Sequence, residues 1–213
     1  MKADTPRSDP SYGYADAKPI HHHTYLLPPL LALIAPPKQT RLLDLGCGNG
    51  SLSQQLALLG YEVVGIENSA SGIQAARMAV IECQFIQASI YDLPAELDHS
   101  FDLVISVEVI EHLCYPRELL RAAKRCLKPG GQLILTTPYH GYWKNLAIAL
   151  CGKTDQHFNP LWDSGHVRFF STATLTQLLR EEGFSDMRLK FAGRFPGFWK
   201  SMVCACTLSQ PSA

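Results

Sequence analysis

The sequence predicts an α/β fold: a mostly parallel seven-stranded sheet with an antiparallel last strand and helices on both faces. Three observations predict it. Short apolar runs alternate with stretches whose apolar residues recur at helical spacing. A glycine-rich turn, Asp44-Leu45-Gly46-Cys47-Gly48-Asn49-Gly50, joins the first such run to the first helical stripe. Two last apolar runs are joined by a connection too short for a crossover, which makes them antiparallel.

The elements follow in order. Residues 42–45 form a short buried strand. Leu52, Leu56 and Leu59 mark a helix stopped by Gly60. Residues 62–66 are a second strand ending at Glu67. Ile73, Ala76 and Val80 mark a second helix, and residues 84–88 a third strand. Residues 101–107 are a fourth. Residues 117–127 form a helix with Leu120 and Ala123 facing in. Lys128-Pro129-Gly130-Gly131 reads as a hard turn before a fifth strand at 132–137. Residues 138–170 are aromatic and loop-rich and read as an insertion over the sheet's edge. Ser171 or Thr172 caps a helix carrying Leu175, Leu178 and Leu179, which ends at Gly183. Residues 187–191 and 202–208 are the last two strands.

The domain reading is an N-terminal arm and lid over 1–40, then one domain over 41–213 with a substrate-side insertion at about 138–170. Residues 1–24 are polar and proline-bearing and read as a flexible arm. His21-His22-His23 runs straight into apolar sequence and is read as native rather than as a tag. Residues 25–35 read as a helix broken by Pro28-Pro29 and closed by Pro36-Pro37.

The chain has 213 residues, enough for one domain with a sizeable core. Apolar residues make up 46% and charged residues 18%, a globular rather than a disordered composition. Lys plus Arg equals Asp plus Glu at 19 each, so the basic excess of a protein built on long nucleic acid is absent. A small-molecule substrate is expected, with no extended nucleic acid. Seven cysteines without CxxC pairs read as reduced thiols in a cytoplasmic protein. No signal-peptide core and no 18-residue apolar stretch is found, so no transmembrane segment is expected. Peripheral membrane contact and oligomeric state stay open.

In open α/β sheets a ligand binds beyond the carboxyl ends of the strands, where the first strand–turn–helix approaches it most closely. Gly46 and Gly48 remove the Cβ atoms that would block that approach. The spacing G-C-G-N-G-S departs from the G-x-G-x-x-G of dinucleotide sites, and no Gly-Lys-Ser/Thr of a P-loop is present. Asp44 beside the first glycine suits a ligand carrying ammonium and sulfonium cations rather than a pyrophosphate. Glu67 ends the second strand, where a carboxylate accepts from both hydroxyls of a ribose.

These residues, with the runs FDLVISVEVIEHL and LKPGGQLILTTP, resemble the class I S-adenosylmethionine-dependent methyltransferases, and especially the ubiquinone-biosynthesis O-methyltransferases. The likeness spans about residues 40–140. It implies the Rossmann-like methyltransferase fold and S-adenosylmethionine as cofactor. It also implies that Asp44, Gly46 and Gly48 hold the methionine part of the cofactor, that Glu67 holds the ribose, that Cys47 and Asn68 also bind the cofactor, and that Ser89 and Ile90 lie against the adenine. Many relatives carry an aspartate near Ser89; here adenine recognition falls to backbone groups or to Asp92.

Glu108, Glu111 and His112 follow the fourth strand. If a helix begins there, their i, i+3, i+4 spacing puts them on one face. Two carboxylates and an imidazole can hold a divalent ion, Mg or Zn, with His166 as a fourth ligand. In the methyltransferase groups that the chain resembles here, such a run plus a later histidine is associated with a metal that meets the substrate oxygen. Three readings stay open: a metal site, Glu111 and His112 as catalytic groups with His112 a general base without metal, and a structural role, with Glu108 simply touching the cofactor. The chemistry has a use for either catalyst. A phenol has a pKa of about 10, so an acceptor hydroxyl must be helped to lose its proton.

Residues 138–145, His157, Phe158, Trp162 and the 194–199 turn could wall the acceptor pocket, and Tyr12, Tyr14, His22 and Tyr25 could fold over the cofactor. The function expected is methyl transfer to a small-molecule acceptor, at a hydroxyl oxygen, with metal assistance one of the open readings. The alternatives are an RNA-end or protein methyltransferase and a non-catalytic S-adenosylmethionine-binding module. A nicotinamide dehydrogenase is disfavoured by the glycine spacing.

Overall fold

The computed structural model describes residues 12–80 and 82–209. The chain runs α1 (His23–Leu31), β1 (Arg41–Leu45), α2 (Ser51–Leu58), β2 (Glu62–Glu67), α3 (Ala70–Ala79), β3 (Gln84–Gln87), β4 (Phe101–Val107), α4 (Pro116–Cys126), β5 (Leu127–Pro138), α5 (Tyr142–Leu150), α6 (Thr154–His157), α7 (Thr172–Glu181), β6 (Phe184–Ala192) and β7 (Ser201–Leu208). The seven strands form one sheet in the order β3-β2-β1-β4-β5-β7-β6. β7 is antiparallel to β5 and β6, and the other neighbours are parallel. The strand order therefore reverses between β1 and β4, and the crevice beyond their carboxyl ends is the expected ligand position.

Strand alternation divides the core. Leu43, Leu45, Val104, Leu133 and Leu135 face α4 and α7. Leu42, Leu103, Ile105 and Ile134 face the other way, against Leu26 and Leu30 of α1 and Leu52 and Leu56 of α2. Ser171 caps α7 by accepting from the Thr174 N–H, and Thr174 completes a capping box.

Five local expectations are corrected. Pro28 and Pro29 lie inside α1 without breaking it. Leu26 and Leu30 are fully buried on either side of them, and that packing outweighs the backbone bonds which the prolines forgo. Leu59 ends the α2 stripe but is the helix C-cap and is 48% exposed. Lys128–Gly131 is not a turn between elements. Phe101 pairs with Leu127 and Leu103 with Gln132, so the four residues bulge out of a continuous β5. Lys128 Nζ pins the bulge to Asp102 at 2.7 Å. The insertion carries the helices α5 and α6 rather than loop alone. From residue 12 the arm is seated on the domain through bonds from Asn49 Nδ2 to the Asp16 and Lys18 carbonyls; residues 1–11 lie outside the described residues.

Candidate active site

The crevice between β1 and β4 opens into a cavity of about 430 Å³, within the usual range for small-molecule sites. The residues that the sequence proposed for the donor share its wall: Asp44, Gly46, Cys47 and Gly48 on the turn, Glu67 and Asn68 after β2, Ser89 and Ile90 after β3, and Glu108 after β4 all line it. Asp92 does not, and Tyr91 takes its place on the wall. Gly46 and Gly48 have φ of +83° and +56°. A Cβ on Gly46 would fall 2.6 Å from Val109 Cγ2, so the turn has room for glycine alone.

The floor is acidic. Asp44 is 1% exposed and accepts from Ser53 Oγ at 2.7 Å. Burial holds its pKa up at about 7, against the opposing Ser53 bond. Glu67 receives the Gly48 N–H at 3.0 Å and the Ser69 N–H at 2.7 Å; burial still raises its pKa. Burial likewise lifts Glu108 to about 7, and it lifts Glu111 well above the usual carboxylate range, with Glu108 adding repulsion. Among the described residues none of Asp44, Glu67, Glu108 and Glu111 forms an ion pair. Lys144 acts on Glu108 only at longer range.

The chain after β4 is not the helix that the spacing suggested. Glu108 is left-handed at φ +54° and a 3₁₀ turn, Ile110–His112, follows. Pro116 disfavours helical backbone at Tyr115, which leaves only a short stretch for α-helix. Glu108 is taken up by other partners. Its carboxylate accepts from Thr136 Oγ1 at 2.8 Å and Ser201 Oγ at 3.2 Å. The side chains that do converge are Glu111, His112 and His166, whose ligand atoms lie within 4.8 Å of one another. Glu108 is thus outside the cluster that the sequence reading assigned it to.

Glu111 is fully buried. Thr137 Oγ1 donates to its Oε2 at 3.0 Å, while Oε1 has no partner. His112 Nδ1 lies 2.8 Å from the Ser164 carbonyl. It therefore donates, which leaves Nε2 with a free lone pair. Burial lowers both imidazole pKa values, His166 to about 4, so both rings are neutral ligands or bases.

A family model described as a methyltransferase domain matches residues 20–189. The chain belongs to that family. Among curated proteins, this methyltransferase is 34% identical over 155 residues to a ubiquinone biosynthesis O-methyltransferase of Ruegeria pomeroyi, covering 70% of this chain and 62% of the relative. It is 40% identical over 101 residues to one of Xanthomonas oryzae pv. oryzae, covering 46% and 42%. The chain thus spans less than half the length of the Xanthomonas relative that it matches. Among solved structures, an S-adenosylmethionine dependent methyltransferase from Mesorhizobium loti superposes with TM-score 0.66 at 20% identity, over 84% of this chain and 96% of that one. Magnesium protoporphyrin IX methyltransferase from Synechocystis, with bound SAH, superposes with TM-score 0.61 at 20% identity, over 80% and 74%. These likenesses establish the fold of the S-adenosylmethionine-dependent methyltransferases.

The acceptor-side walls of this methyltransferase are fewer than expected. Trp162, Ser164 and His166 of the insertion line the cavity, with Tyr12, Tyr14 and His22 of the arm. His157 and Phe158 pack on His140 instead. Trp199 stacks on Phe191 at 4.2 Å. Tyr142 and Trp143 are exposed on α5, and Tyr25 is not on the wall. The sequence reading missed Ser53, Thr136, Thr137 and Ser201, which orient the site carboxylates. Thr136 and Thr137 had a signal: they are polar residues at the end of an apolar strand, and both are fully buried.

Proposed function

We propose that this chain transfers the methyl group of S-adenosylmethionine to a hydroxyl oxygen of a small-molecule acceptor, with Glu111, His112 and His166 holding a divalent cation at the acceptor side. The observation that carries the donor half is the acidic floor. Buried Asp44 and the partly buried Glu67 and Glu108 line the cavity with no ion pair among the described residues, which suits a ligand that brings ammonium and sulfonium charge. The glycine turn leaves backbone room for it. When bound, this donor supplies an activated methyl group, so the protein's task is to align and desolvate the in-line displacement.

The acceptor half rests on the Glu111–His112–His166 cluster. A buried carboxylate oxygen without a partner and two neutral imidazoles fit a cation, and one carboxylate with two histidines favours Zn²⁺ over Mg²⁺, which prefers all-oxygen octahedral sites. A cation held there would acidify a hydroxyl brought to it. The Ser164 carbonyl fixes the His112 ring, as outer hydrogen bonds do for metal-binding histidines. The cavity size, the balanced charge and the relatives named as ubiquinone biosynthesis O-methyltransferases support a small oxygen acceptor.

A second reading has its own support. With Nδ1 donating to Ser164, His112 Nε2 is also placed to be a general base without metal. Turnover of labelled S-adenosylmethionine against phenols, quinols, amines and carboxylates, with and without chelator, tests both. Transfer to hydroxyls that stops on chelation supports the metal, and transfer indifferent to chelator assigns the proton to His112. Transfer only to amines or carboxylates overturns the oxygen acceptor. Among the described residues no cysteine is in a disulfide and four of the seven are buried, which supports a reducing, cytoplasmic setting. No helix among the described residues is long and apolar enough to cross a membrane.

A further inference from the structure

The segment 12–18 lines the cavity through Tyr12 and Tyr14 and is hydrogen-bonded to donor-side elements. The Tyr14 N–H donates to Ser71 Oγ at 3.0 Å, and Ser69 Oγ donates to the Tyr12 carbonyl. Asn49, inside the glycine turn, donates from Nδ2 to the Asp16 and Lys18 carbonyls at 2.9 Å each.

Two glycines make the seat for Tyr14. A Cβ on Gly48 would lie 2.7 Å from the Tyr14 hydroxyl, and one on Gly72 would lie 3.0 Å from the Tyr14 ring. Gly72 sits inside α3, where glycine costs about 1 kcal/mol against alanine; the space that it leaves is filled by the ring and the adjoining backbone.

The same segment reaches the acceptor side. The Tyr12 ring meets the His112 ring edge-on at 5.4 Å between centroids, and Trp162 at 6.0 Å. Trp162 in turn stands 6.0 Å from His112.

We propose that residues 12–18 are a strap closed over the bound donor, with Tyr14 a wall of the donor site and Tyr12 a positioning residue for His112. The strap's anchors are on the glycine turn and the start of α3, and its far contact is on His112. Lifting it to exchange the donor removes Tyr12 from His112. The acceptor side is therefore complete only while the strap is seated. The proposal rests on the donor-site reading above.

The test uses the full chain and S-adenosylhomocysteine as probe. Chymotrypsin cleaves after tyrosine, and exposed Tyr142 serves as the internal reference. The ligand is expected to slow cleavage at Tyr14 while leaving Tyr142 unchanged. Tyr14→Ala and Asn49→Ala are expected to speed ligand dissociation in stopped flow by about tenfold, the equivalent of 1.4 kcal/mol. In the ligand-bound protein, Tyr12→Ala is expected to shift the His112 ring resonances, and Tyr12→Phe to keep them. Calorimetric binding with unchanged cleavage at Tyr14 and equal dissociation rates across the variants overturns the strap and leaves the donor site standing. No heat on injection overturns the donor reading itself, and the strap with it.

Discussion

His112 is held by Ser164: its Nδ1 lies 2.8 Å from the Ser164 carbonyl, across 52 residues of chain. The bond joins the 3₁₀ turn after β4 to the insertion and sets which ring nitrogen faces the cavity. Both readings of the acceptor site need that nitrogen. His112→Ala is expected to lower methyl transfer by about 10²–10⁴, the range for a lost acid–base group. Its effect on S-adenosylmethionine affinity should be far smaller, because the donor contacts proposed above lie on the glycine turn and after β2. A comparable loss in affinity and rate would move His112 to the donor site.

Glu111 distinguishes a metal centre from a base. Glu111→Gln keeps the shape and the Thr137 contact but removes the charge that a cation needs. Equilibrium dialysis with zinc should show one ion per chain in the wild type. In Glu111→Gln and His166→Ala the affinity should fall by at least about 100-fold, since each removes a direct ligand where even outer partners are worth 10–100-fold. Wild-type zinc affinity in both variants would remove the metal centre.

Gly46 carries two demands at once, a φ of +83° and a Cβ-free approach to Val109. Gly46→Ala should cost about 1–3 kcal/mol, or roughly 2–12 °C in Tm for a chain of this size. Gly152 also has positive φ, but nothing lies within 4 Å of its Cβ position. Gly152→Ala should therefore lose less. Val109→Ala added to Gly46→Ala should recover part of the loss, the coupling expected of neighbours. Equal Tm losses at the two glycines would mean that backbone strain alone decides the turn.

Legibility followed the range of the interactions. The donor side was readable because strand, turn and acid lie within 25 residues of one another, and each needs a particular residue type: glycine for space, carboxylate for charge. The eight residues that the resemblance assigned to the cofactor line the cavity, and so does Glu108. The acceptor side was half readable. Glu111, His112 and His166 do meet, but the helix assumed for Glu108 was overridden by a left-handed residue and a short 3₁₀ turn. Its true partners, Thr136 and Ser201, come from strands paired 28 and 93 residues away. The arm misled for a related reason. Composition alone made residues 12–24 a flexible segment, and only tertiary contacts to Asn49, Ser69 and Ser71 show it seated.

Asp44 makes donor binding depend on pH, with a definite sign. Without ligand, burial holds its pKa at about 7, against about 3.9 for an unfolded aspartate. Between those values the folded chain binds the extra proton, so this group's contribution lowers stability as pH rises from about 4 to about 7. A cationic donor favours the ionised carboxylate and pulls the pKa back down. Donor affinity should therefore rise as pH increases through 7, then level off. The Tm gain from saturating S-adenosylmethionine should be larger at pH 8 than at pH 5.5. Asp44→Asn should lose about 10- to 100-fold in affinity at pH 8, the worth of a charged contact. It should lose much less at pH 5.5, where the wild-type group is itself protonated, and its apo Tm should vary less with pH. Calorimetry and thermal unfolding at the two pH values measure all four quantities. An equal affinity loss at both would mean that Asp44 acts on the donor through hydrogen-bonding shape rather than charge.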